Sequence, residues 1–79
     1  MNFGQALNAL EDGQKVAREG WNGKGMWVGL HKEGGTFVRE ECKTELTYSD
    51  YLVLKTADNK LVPWVASHSD ILAKDWMVV

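Results

Sequence analysis

The chain has 79 residues, a formal net charge of −2 and an isoelectric point near 5.6, which bounds it to one domain over residues 1–79 and argues against long nucleic acid as a partner, since such binders carry a basic stripe. A core this thin, expected to bury roughly 60–65% of the unfolded surface, usually needs a disulfide, a metal or self-association. The lone Cys42 excludes an internal disulfide, and His31 and His68 lack neighbours at zinc-ligand spacing, so self-association is the expected support and no metal or cofactor is expected. No window approaches the ~20 apolar residues of a membrane span, and the first residues lack a leader pattern, so the expectation is a cytoplasmic protein without a membrane partner.

Phe3, Ala6, Leu7 and Leu10 recur at helical spacing and predict a short helix, with Asn2 and Gln5 as a reciprocal cap and Gly13 as the stop. Lys15 to Glu19 reads as a strand, and Gly20 to Gly25 as a glycine-rich loop carrying Trp21. Met26 to Lys32 reads as a second strand pairing with the first, with Met26, Val28 and Leu30 on one face and Trp27, Gly29 and His31 on the other. Glu33-Gly34-Gly35 marks a turn and Thr36 to Arg39 a further strand, while Glu40 to Ser49 shows no readable period. Tyr51 to Thr56 and Leu61 to Val65 predict a hairpin around Ala57-Asp58-Asn59-Lys60, with Pro63 at a sheet edge or a strand end. Ser67 caps a helical turn through Leu72, with Asp70 where a carboxylate favours a helix start, and Asp75 to Val79 forms the last strand. The fold class is α+β: an N-terminal helix packed on a small antiparallel β-sheet of about five strands, with a short second helix before the last strand.

The residues offer no catalytic centre. Ser67, His68, Ser69 and Asp70 include the residue types of a hydrolase triad, but neighbours on one helical turn point in different directions and cannot form its relay. Gly20 to Gly25 lacks P-loop spacing and leads into a strand where that motif needs a helix, and Cys42 lies in a charged stretch without a base beside it. Four tryptophans stand out. Trp27 and Trp76 lie within strands, where packing is the expected role. Trp21, beside Asn22, Gly23 and Lys24, and Trp64, after Pro63 and before Ser67, suit stacking on a purine while amides, hydroxyls and a cation hold a phosphate. Two readings stand open for these two rings: ligand stacking, or cover for the core or a subunit interface. Lys24 is either a phosphate contact or a solvated turn residue, and the start of the helix capped by Ser67 is a possible anion site.

The ordered motifs Met1-Asn2-Phe3-Gly4, Val16-Ala17-Arg18 and Gly20-Trp21-Asn22-Gly23-Lys24-Gly25-Met26 resemble the first half of a small phage family, that of the Thoeris anti-defence protein two sponges. Leu54-Lys55-Thr56-Ala57-Asp58, Leu61-Val62-Pro63-Trp64 and Ser69 through Trp76 resemble its second half, and only residues 33–50 carry no family pattern. The resemblance implies a homotetramer, acting in the cytoplasm of an infected bacterial host, that holds cyclic ADP-ribose signals intact between protomers, with cyclic dinucleotides taken by some relatives. Such a ligand suits the residues present: Trp21 and Trp64 for the purine, Lys24 and Arg18 for the pyrophosphate, and Asn22, Thr56 and Ser67 for ribose hydroxyls, with Gly23 and Asp58 completing the candidate ligand-binding set. A ligand of about 35 heavy atoms at ~0.3 kcal/mol each reaches roughly −10 kcal/mol, or tens of nanomolar.

Two other classes of function compete with this one. A signal-degrading enzyme needs an activated water, and therefore a metal or a carboxylate of raised pKa beside the pocket, for which Asp58 and Asp70 are the candidates. A protein-binding inhibitor of a host factor would use exposed aromatics directly.

Overall fold

In the computed structural model, residues 1–21, 24–32, 36–39, 44–47 and 49–79 are described, with 36–39 and 44–47 described as backbone only. The turn at Glu33-Gly34-Gly35, Cys42, and the site residues Asn22 and Gly23 lie outside the described residues. The order of elements is α1 (Phe3–Glu11), β1 (Val16–Arg18), β2 (Trp27–His31), β3 (Thr36–Arg39), β4 (Thr44–Thr47), β5 (Tyr51–Lys55), β6 (Leu61–Pro63), α2 (His68–Leu72) and β7 (Trp76–Val78). The expected α+β architecture is what is observed: five antiparallel strands in the order β6-β5-β2-β1-β7 beneath α1, with α2 just before the last strand.

Local chemistry fixes the ends of α1. Asn2 Oδ1 accepts the Gln5 N–H at 2.8 Å and Gln5 Oε1 accepts the Asn2 N–H at 2.9 Å, which satisfies two donors that a helix start leaves orphaned. At the other end Gly13 N–H reaches the Leu10 carbonyl and Gln14 N–H the Ala9 carbonyl, each at 3.0 Å. This Schellman closure requires the left-handed backbone that Gly13 adopts at φ 87°. Ala6, Ala9 and Leu10 are the buried positions of α1, with Phe3 packed beside them. Leu7, expected in the stripe, lies at its exposed margin, and Ala9, three residues after Ala6, is buried with Ala6 and Leu10.

The strand alternation sorts the sheet into two faces. Val16 pairs with Val28 across β1 and β2, Val28 with Leu54 and Leu30 with Leu52 across β2 and β5, and these side chains meet α1 in one core with Trp76. The opposite face carries the other register set: Ala17 beside Met77, Trp27 beside Lys55, Gly29 beside Val53 and His31 beside Tyr51. Trp27 was expected to pack the core. It is half-buried on the face away from α1, because strand parity places it opposite to Val28.

Pro63 occupies β6, an edge strand, where its missing N–H costs no ladder bond. β7 pairs with β1, not with its chain neighbours, through Val16–Val78, Ala17–Met77 and Arg18–Trp76. The segment Glu40 to Ser49, left unassigned in sequence, contains β4, which pairs with β3 as a separate two-stranded sheet with Phe37 opposite Leu46.

Candidate functional site

Three tryptophans from distant parts of the chain converge at one end of the core. Trp76 is 2% exposed and donates its indole N–H to the Asp70 carbonyl at 2.9 Å. Trp21 and Trp64 lie edge-on against it, with centroids 5.5 and 6.1 Å away and interplanar angles of 80° and 79°. They also face each other at 6.3 Å and 70°. Edge-to-face geometry sets the positive rim of one ring on the negative face of another, so each contact contributes beyond the buried area. Trp21 and Trp64 thus flank the core as half-buried rings.

Trp21 also reaches the other side of the sheet's end. A groove of about 280 Å³ lies between it and Trp27, floored by Ala17, with Met26 and Met77 along it and Arg18, Glu19 and Lys24 at its rim. Lys24 is exposed and has no ion-pair partner among the described residues. On the far side of Trp27 a second recess of about 200 Å³ holds Lys15, Gly29, His31 and Val53. There the Lys15 ammonium sits 4.5 Å from the centroid of the Trp27 ring, a cation–π contact. An aromatic wall with cations on both sides suits a flat, anionic ligand.

Arg18 is committed within the fold. Its Nη1 donates to Asp70 Oδ1 at 3.0 Å and its Nε to Asp75 Oδ1 at 2.9 Å. Donation to Asp75, and after it donation to Asp70, raises the guanidinium pKa above its ordinary value. The expected pyrophosphate contact therefore has to compete with two carboxylates.

Ser67 is likewise engaged in a cap. Its hydroxyl donates to Asp70 Oδ2 at 2.8 Å and accepts the Asp70 N–H at 3.2 Å, while its own N–H donates to Asp70 Oδ2 at 3.0 Å. The start of α2 already holds an anion, the Asp70 carboxylate. Thr56 and Asp58 lie in the β5–β6 turn. There the Thr56 hydroxyl donates to Asp58 and accepts the Lys60 N–H at 3.0 Å, and Asn59 takes the left-handed conformation at φ 63°. The groove thus gathers Trp21, Lys24 and Arg18 of the expected set, while Trp64 flanks the core tryptophan and Thr56, Asp58 and Ser67 serve local turns and caps.

The carboxylates named for hydrolysis have the wrong acidity for it. The Thr56 hydroxyl foremost holds Asp58 below the usual carboxylate range. Burial opposes ionisation of Asp70, but hydrogen bonds from Ser67 and Arg18 outweigh it and keep its pKa low as well. A general base working near neutral pH needs the opposite shift. Among the described residues, no three His, Cys, Asp or Glu side chains gather as a metal site requires, and no helix is long and apolar enough to cross a membrane.

Sequence reasoning missed Trp27 as a wall of the groove, although the alternation that put Val28 inside also put Trp27 outside. It had no means to find Asp75 beside Arg18, because the pairing of β7 with β1 joins opposite ends of the chain.

The family model of the Thoeris anti-defense 2-like domain matches residues 1–79. The chain is similar to Thoeris anti-defense 2 of Bacillus phage SP01, at 40% identity over 84 residues that cover 100% of this chain and 94% of that protein.

Proposed function

The chain belongs to the Thoeris anti-defense 2-like family, whose role is phage anti-defence, and from that premise we propose that it is a sponge: it binds a cyclic nucleotide immune signal and withholds it without cleaving it. The ligand class is cyclic ADP-ribose, glycocyclic ADP-ribose in the first instance, with cyclic dinucleotides as a second class of similar chemistry. The site of action is the cytoplasm of the infected host.

The observation that carries this reading is the groove between Trp21 and Trp27 with Lys24 at its rim. A purine stacks on an indole, a pyrophosphate pairs with an ammonium, and neither interaction asks the protein to activate water. The low pKa values of Asp58 and Asp70 support binding over hydrolysis.

Size supports a shared site. Ligand pockets usually start near 300 Å³, and a groove of about 280 Å³ is short of what a molecule of about 35 heavy atoms fills. The face that bears Trp27 also leaves Met77 43%, Val79 56% and Leu61 63% exposed. A second copy laid on this apolar face would cover it and complete the pocket, in keeping with a homotetramer.

Calorimetric titration with glycocyclic ADP-ribose and a panel of cyclic dinucleotides, paired with light scattering, tests the proposal. Submicromolar affinity for one of them in a tetramer is the expected result. A monomer near 8.9 kDa, or no heat with any of them, contradicts it. Capture of a host protein in place of the nucleotide would favour the protein-binding inhibitor.

A further inference from the structure

Gly20 and Gly25, which flank Trp21 and Lys24, are each held by a charged side chain from elsewhere in the chain. At Gly20 stands Asp75, just before β7. Its Oδ2 accepts the Gly20 N–H at 3.0 Å, its Oδ1 accepts Arg18 Nε at 2.9 Å, and its carbonyl accepts the Glu19 N–H at 3.1 Å. At Gly25 stands Lys55, the last residue of β5, whose ammonium donates to the Gly25 carbonyl at 2.8 Å and to the Thr56 carbonyl at 3.4 Å. Gly20 is a point of close approach, and Gly25 is held to glycine by its left-handed backbone. A Cβ on Gly20 would come within 3.1 Å of Asp75 Oδ2, and one on Gly25, which has φ 75°, within 3.4 Å of Lys55 Nζ.

Neither contact belongs to a strand ladder. Lys55 sits directly across from Trp27 in the β2–β5 register, yet its ammonium is turned to the loop carbonyl, and among the described residues no carboxylate pairs with it. We propose that Asp75 and Lys55 are positioning residues: Asp75 holds Gly20 and Lys55 holds Gly25, and so the adjacent Trp21 and Lys24 stand at the groove before any ligand arrives. The inference rests on the ligand-binding reading of that groove. Charge-assisted hydrogen bonds are the stronger kind, and a loop ordered in advance loses less entropy when it binds.

Asp75 makes this separable from direct electrostatics. A carboxylate near a site for a phosphate repels the ligand, so an Asp75→Asn substitution acting through charge alone would tighten binding. If Asp75 acts through the loop, the same substitution weakens it. Lys55→Met keeps most of the side-chain stem and removes the ammonium, so it supplies a second variant should Asp75→Asn fail to fold.

The experiment is calorimetric titration of the full chain and both variants with glycocyclic ADP-ribose, together with amide and indole NMR spectra of the ligand-free proteins. The expected result is about tenfold weaker binding in each variant, with the Trp21 indole and the Gly20 and Gly25 amide resonances shifted or broadened while those of α1 stay in place. Affinity within about twofold of wild type, tighter binding in Asp75→Asn, or loop resonances that do not move would overturn the clamp. If the wild-type chain itself fails to bind the nucleotide, the ligand reading fails, and the spectra alone decide whether the loop is clamped.

Discussion

Trp21 and Trp76 meet edge to face with their centroids 5.5 Å apart, so the ring that walls one end of the groove is at the same time a cover for the core. On the proposed ligand-binding reading, a change at Trp21 should therefore move binding and stability together, and a change at Trp27, on the opposite face of the sheet, mainly binding.

Trp76→Ala is expected to destabilise by about 3–5 kcal/mol, the cost of emptying a fully buried aromatic site. Trp27→Ala is expected to lower ligand affinity by about 1–3 kcal/mol, one stacking contact, with a much smaller loss of stability. Trp21→Ala should move both quantities. Melting curves set beside binding isotherms check this, and a Trp27 variant that melts as early as the Trp76 variant would place Trp27 in the core after all.

Salt separates the two cations assigned to the pyrophosphate. Lys24 is exposed at the groove rim, so an ion pair with a phosphate weakens as ionic strength rises, and Lys24→Ala should flatten that dependence. Arg18 already pairs with Asp70 and Asp75, so Arg18→Ala should act mainly on stability and on the loop. Titrations at low and high salt read the slopes. Parallel slopes for wild type and Lys24→Ala would remove Lys24 from the phosphate contact.

The local parts of the fold were legible because their chemistry is local. The caps of Asn2 with Gln5 and Ser67 with Asp70, the stop at Gly13 and the edge placement of Pro63 each depend on residues a few positions apart. What sequence could not supply was the return of β7 to β1, since that pairing is decided by the shared burial of Trp76, Val16 and Val28. Asp75, and with it the engagement of Arg18, followed from that pairing. In the candidate site, Trp21 and Lys24 were legible as an aromatic and a cation in a glycine-rich loop. Trp27 was missed because a tryptophan inside a strand reads as core until the covered face is known.

Acid should loosen the α2 end of the domain. Burial favours the neutral form of Asp70, but Ser67 and Arg18 outweigh it, so the folded pKa lies below the ordinary value of 3.8. The unfolded chain then binds the proton more readily. The contribution is complete above the unfolded pKa and is lost as pH falls through the folded one. Denaturant melts from about pH 6 down to about pH 2 should show stability falling below about pH 4, with a shallower fall in Asp70→Asn. An equally steep fall in that variant would assign the acid sensitivity elsewhere.

Ser67→Ala should cost about 1 kcal/mol of stability, the usual value of a lost N-cap. Ligand affinity should stay near wild type, because the hydroxyl and the helix start are already satisfied by Asp70. A loss of affinity larger than the loss of stability would instead put Ser67 in contact with the ligand.

A sponge holds its signal and returns it unchanged. Glycocyclic ADP-ribose incubated with an excess of the protein, separated from free nucleotide and released by heat denaturation, is analysed by chromatography against cyclic and linear standards. The expected result is depletion from solution before heating and recovery of the intact cyclic nucleotide after it. Recovery of a linear product, or no depletion at all, would contradict it.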